Sequence, residues 1–103
     1  RDGLAMSSRN AYLSKEERRS ARALCQGLEK AQQLVSQNIT GSKTIIDRVT
    51  DFIAAHPYTH IDYIVLCDPE TLEPLDQTKD ETLMALAVRV GRTRLIDNAV
   101  LHR

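Results

Sequence analysis

Leu83-Met84-Ala85-Leu86-Ala87-Val88-Arg89-Val90, then Gly91-Arg92, then Thr93-Arg94-Leu95-Ile96-Asp97-Asn98-Ala99-Val100-Leu101 is the stretch that decides the fold. Met84, Leu86, Val88 and Val90 recur at every second position, the period of a strand with one buried face. Gly91-Arg92 fits a two-residue hairpin with glycine first, the type II′ arrangement. Thr93–Leu101 then returns as the antiparallel partner strand.

Working outward, His60–Cys67 (HIDYIVLC) is rich in β-branched and aromatic residues and reads as a further strand. Asp68-Pro69-Glu70 is turn chemistry, and Leu72 and Leu75 are expected to tuck inward from the connection. The pattern before this region is helical. Ser14-Lys15-Glu16-Glu17 reads as a capping box. After it Ala21, Leu24, Cys25, Leu28, Ala31 and Val35 follow helical spacing to about Ser36. Asn38–Ser42 is expected to be a loop, with Ser42 as the N-cap of a second helix. That helix carries the stripe Ile45, Ile46, Val49, Phe52 and Ile53, and Pro57 stops it near Ala55. Two helices followed by about three antiparallel strands make a small α+β domain spanning 1–103.

Composition bounds the function. A chain of 103 residues with 42% hydrophobic residues can bury one core. Fourteen basic residues balance fourteen acidic ones, so nucleic acid and anionic membranes are not the expected partners. No apolar run approaches the ~20 residues of a membrane span, and no signal peptide is recognisable. Two cysteines are no disulfide framework, which points to a reducing, cytoplasmic compartment. The chain begins at Arg1 without an initiator Met, and it is expected to be a processed product or a piece of something longer. Neither a G-x-x-x-x-G-K-[ST] loop nor a G-x-G-x-x-G turn is present, so a complete nucleotide fold is not expected.

Charge is uneven along the chain. Residues 1–22 carry six basic and three acidic groups, whereas residues 58–81 carry seven acids against Lys79. Taken alone, this describes a solvated helix face and a solvated loop. The positive end nevertheless coincides with Met6-Ser7-Ser8-Arg9, where two hydroxyls, backbone N–H groups and a guanidinium offer donors to clustered oxyanions. As an isolated tripeptide, Ser-Ser-Arg is weak. His56 and His60 are four apart, but Pro57 between them breaks the helical geometry a metal pair needs, so no metal site is assigned. Cys25 and Cys67 are expected to be buried thiols. Arg89, Arg92 and Arg94 crowd the hairpin, with Asp97 and Asn98 downstream, as an exposed and partly paired hairpin end. Tyr12, Tyr58 and Tyr63 are too dispersed to stack bases.

Asp2-Gly3-Leu4-Ala5-Met6-Ser7-Ser8-Arg9-Asn10-Ala11-Tyr12-Leu13 closely resembles the D-G-L-A-x-S-S-R-N-x-Y-L signature of the pantothenate synthetase (pantoate–β-alanine ligase) family. Arg94-Leu95-Ile96-Asp97-Asn98 resembles the R-L-I-D-N near that family's end. Between them the order of elements is similar to that family's C-terminal domain. The Ser-Ser-Arg segment resembles the K-M-S-K-S loop of class I aminoacyl-tRNA synthetases.

The resemblance implies a two-step ligation assisted by Mg²⁺. Pantoate's carboxylate attacks the α-phosphorus of ATP, releasing pyrophosphate. The amine of β-alanine then attacks the acyl carbon of pantoyl adenylate and expels AMP. It further implies that Ser7, Ser8 and loop amides hold the β- and γ-phosphates, that Met6 lines the nucleotide, and that Arg9 stabilises the leaving pyrophosphate. The domain would close over the nucleotide as a lid on its own N-terminal domain, in a parent enzyme expected to be a homodimer. The Rossmann-type domain bearing the H-x-G-H-type histidines has no counterpart here. No catalytic residue is therefore assigned within the fragment, and it is expected to be inactive alone. The rival reading is a stand-alone binding module using a sheet edge or helix face. A trimmed tRNA synthetase domain is disfavoured by the balanced charge and the tail motif.

Overall fold

A computed structural model describes residues 14–103. Along them run α1 (Lys15–Ser36), α2 (Ser42–Ala54), β1 (Thr59–Cys67), β2 (Glu81–Val90) and β3 (Thr93–His102). The strands form an antiparallel sheet in the order β1-β2-β3. The α+β architecture is that expected from the sequence. Met84, Leu86, Val88 and Val90 face the helices and are fully buried, as their alternation requires. Pairing of β2 with β3 is unbroken from Val90↔Thr93 to Glu81↔His102. Gly91 has φ 61, and Arg92 is not among the positive-φ residues, in keeping with a type II′ turn.

The helices complete the core with the stripes read from their spacing. Leu24, Leu28, Ala31, Leu34 and Val35 of α1 pack with Ile45, Val49 and Ile53 of α2 over the sheet. The two helices approach closely at Gly27, where a Cβ would lie 3.1 Å from Ile53 Cδ1 and 3.3 Å from Val49 Cγ1. α1 ends in a Schellman arrangement around Asn38 (φ 65). The Ile39 N–H donates to Leu34 O and the Asn38 N–H to Val35 O. At the sheet's free edge, Gln32 of α1 donates to the carbonyl of His102 (2.8 Å) and accepts from its N–H (2.9 Å).

Three local expectations are corrected. Gly41, not Ser42, is the N-cap of α2. The Ser42 N–H is drawn to Asp76 O (2.9 Å), which places Ser42 inside the first turn, 4% exposed, with its Oγ unpaired. Leu72 does not tuck inward. It has φ 63 and is 63% exposed, because the Asp68 side chain organises a tight turn by accepting the N–H groups of Glu70 and Thr71. Cys67 is buried, but Cys25 is only half-buried at the edge of the helix stripe, its Sγ 3.7 Å from Glu29 Oε1.

Candidate functional site

The chain enters the described fold at Ser14, and this junction is tightly fixed. Ser14 Oγ accepts the Glu17 N–H (3.1 Å) while Glu17 Oε1 accepts the Ser14 N–H (3.0 Å), the reciprocal capping box read from the sequence. The same carboxylate lies against the β2–β3 turn. A Cβ at Gly91 would collide with Glu17 Oε2, so a side chain there would have to displace the carboxylate. The Gly91 N–H donates to Tyr58 O (2.9 Å), and the Tyr58 hydroxyl donates to Glu16 Oε2 (3.4 Å). Tyr58 itself has φ 70, an uncommon conformation for a residue with a side chain. The start of α1, the α2–β1 connection and the hairpin tip therefore meet.

Beside the turn, the predicted arginine cluster has an acidic partner that the sequence reading missed. β1 carries a bulge between Ile61 and Tyr63, which leaves Asp62 as the extra residue. Ile61 and Ile64 can then both face the helices while Asp62 projects outward. Its Oδ2 accepts from Arg94 Nε at 2.7 Å, and its Oδ1 lies 3.9 Å from an Arg89 guanidinium nitrogen. The hydrogen bond from Arg94, with the fields of Arg89, Arg94 and His60, holds the Asp62 carboxyl below its ordinary value. Arg94 also stands 6.0 Å from the centre of the Tyr63 ring. The signal was present, since apolar residues at 61, 64 and 66 break strict alternation by one position.

Beyond these charges the sheet face away from the helices is mainly apolar, with Asn98 in the row Val65↔Ala85↔Asn98. Tyr63, Val65, Ile96 and Val100 are exposed there, with the rows Tyr63↔Ala87↔Ile96 and Cys67↔Leu83↔Val100 crossing it. On the helical side, Lys30, Asp47, Arg48, Asp51 and Phe52 border a concavity of about 570 Å³. Asp68, Glu70, Asp80 and Glu81 gather around another of about 520 Å³, where Lys79 Nζ donates to Asp68 Oδ2 at 2.6 Å. That bond and the N–H groups of Glu70 and Thr71 lower the Asp68 carboxyl to about 2, and Asp68 in turn raises Lys79. Among the described residues no three His, Cys, Asp or Glu side chains are placed to hold a metal ion, and no helix is long and apolar enough to cross a membrane. The predicted nucleotide ligands Met6, Ser7, Ser8 and Arg9 lie outside the described residues, in the segment that joins α1 at Ser14.

A two-layer α+β domain presenting a basic hairpin end next to its first helix is the class that fold and site define. The family model for pantoate–β-alanine ligase matches residues 1–100. A pantothenate synthetase of Desulfatibacillum aliphaticivorans is 51% identical over 101 residues, which is 98% of this chain and 36% of that protein. A bifunctional pantoate ligase/cytidylate kinase of Thermosynechococcus vestitus is 46% identical over 99% of this chain and 20% of its own length. The crystal structure of pantothenate synthetase from Thermus thermophilus superposes with a TM-score of 0.87 at 35% identity, covering 95% of this chain and 35% of that one. The chain belongs to the pantoate–β-alanine ligase family, and it spans about a third of the length of pantothenate synthetases such as these.

Proposed function

We propose that this chain is the nucleotide-closing domain of an ATP-dependent ligase that joins pantoate to β-alanine through pantoyl adenylate. The observation that carries this reading is a family match over nearly the whole chain combined with coverage of only 36% of a full-length relative. Ser7, Ser8 and Arg9 supply hydroxyls and a guanidinium to the β- and γ-phosphates, and Met6 lines the nucleotide. In the first step a pantoate carboxylate oxygen bonds to the α-phosphorus as the bond to pyrophosphate breaks, and Arg9 neutralises the departing charge. In the second step the β-alanine nitrogen bonds to the acyl carbon, AMP leaves, and the amine gives up a proton. Mg²⁺, where ATP brings it, would offset phosphate charge. The carboxylates around Asp68 do not suit it, because Lys79 already occupies Asp68, so no step is assigned to a metal held by this domain.

Closure requires an opposing wall beyond these 103 residues. The uncovered sheet face and the hairpin end are the surfaces open to the remaining two-thirds of a full-length ligase, itself proposed to be a cytoplasmic homodimer. The isolated domain is accordingly inactive and binds ATP weakly. Pantothenate formation by the purified 103-residue chain and by the same chain joined to a family N-terminal domain tests this. Activity only in the joined protein is expected. Turnover by the isolated chain at even about a percent of the joined protein, a rate only about 3 kcal/mol of barrier away from it, overturns the reading.

A further inference from the structure

We infer that Glu17, Gly91 and Tyr58 form a positioning contact that fixes Ser14, the residue at which the segment bearing Ser7-Ser8-Arg9 joins the described fold, and that adenylation depends on it. The inference rests on the proposed adenylation function and adds residues outside the phosphate-binding segment. A capping box alone fixes Ser14 relative to its own helix. The Glu17 carboxylate goes further, because it holds the Ser14 N–H and simultaneously lies on Gly91. The helix start is thereby referred to the rigid β2–β3 ladder. Gly91 is needed twice over, for its φ of 61 and for the space where a Cβ would strike Glu17 Oε2. Tyr58 adopts a positive φ that its side chain disfavours, and its carbonyl thereby meets the Gly91 N–H while its hydroxyl meets Glu16.

Nucleotidyl transfer depends on alignment, and a displacement of about 1 Å can cost roughly a hundredfold in rate. A methyl group at Gly91 would push the Glu17 carboxylate off the Ser14 N–H, so Gly91→Ala and Glu17→Ala should converge on the same defect at the helix start. Neither changes a group proposed to touch ATP.

The test uses the full-length ligase carrying this segment, with pantoate-dependent ATP–pyrophosphate exchange, the pantoate KM and thermal unfolding measured together. Glu17→Ala and Gly91→Ala are expected to slow exchange about tenfold or more while the pantoate KM stays within about twofold. Glu17→Gln should recover most of the rate, because its carboxamide oxygen can accept the same N–H. Ile53→Val, a core change, serves as the stability control. Exchange at the wild-type rate in folded Glu17→Ala overturns the inference, as does an equal slowing by Ile53→Val at equal loss of Tm. Absence of exchange in the wild-type protein would instead sink the proposed function. Should Gly91→Ala fail to fold, Glu17→Ala and Glu17→Gln decide alone.

Discussion

Asp62 accepts a 2.7 Å hydrogen bond from Arg94 although β2 lies between their two strands. The bulge in β1 and the cross-strand pair Arg89↔Arg94 make that reach possible, so one carboxylate ties all three strands together on the uncovered face.

Asp62→Asn keeps the shape and removes the charge. Both side chains reach solvent, and exposed pairs contribute little and are screened by salt. The expected loss is therefore less than roughly 4 °C in Tm at low ionic strength, fading at high salt. Thermal melts across a salt series check this, and a larger, salt-independent loss would mean that the bulge geometry depends on the charge.

Acid should weaken the domain through Asp68. Its carboxyl titrates at about 2 in the folded chain against an ordinary 3.8. The unfolded chain therefore takes up its proton first, and the stabilisation present above about pH 4 is lost as pH falls towards 2. Lys79 works in the opposite sense, since its raised value means a contribution present below about 10.5 that disappears as pH climbs further. Urea midpoints between pH 2 and 6 should slope less steeply in Asp68→Asn than in the parent protein.

Crowding at Gly27 makes a double-mutant prediction. Alanine gains about 1 kcal/mol of helix propensity over glycine, but its methyl would sit 3.1 Å from Ile53 Cδ1. Gly27→Ala alone should be neutral or destabilising. With Ile53→Val, which removes that methyl at its own cost of about 0.5–1.5 kcal/mol, the added alanine should be better tolerated by roughly 0.5 kcal/mol or more, while the 3.3 Å approaches to Val49 Cγ1 and to Cγ1 at position 53 remain. Chemical denaturation of the four proteins in the cycle measures the coupling.

Arg9→Ala in the full-length ligase should slow adenylation by one to two decades, about 1.5–3 kcal/mol for a charge-assisted contact to phosphate, while pantoate binding holds. Pre-steady-state pyrophosphate release reads this directly, and an unchanged burst would remove Arg9 from the site.

Most of the scaffold was legible because its signals are local and periodic. The hairpin declares itself through alternation and a glycine at the turn, and Ser14 with Glu17 through spacing alone. What stayed hidden depends on partners distant in the chain. Ser42 resembles an N-cap until Asp76, more than thirty residues on, claims its N–H. Leu72 looks like core until the Asp68 turn directs it outward. Asp62 is an ordinary strand-edge carboxylate until the bulge aims it at Arg94. The Met6–Arg9 signature is the reverse case, recognisable as a motif while lying outside the described residues.

The two bonds from Gln32 to His102 have a consequence for assembly. A primary amide offers a donor and an acceptor side by side, as a neighbouring strand would, so this helix side chain already satisfies the outermost rung of β3. Any foreign strand seeking to extend the sheet along β3 finds that terminus closed and must register from the hairpin end, where arginines repel a basic peptide and favour an acidic one.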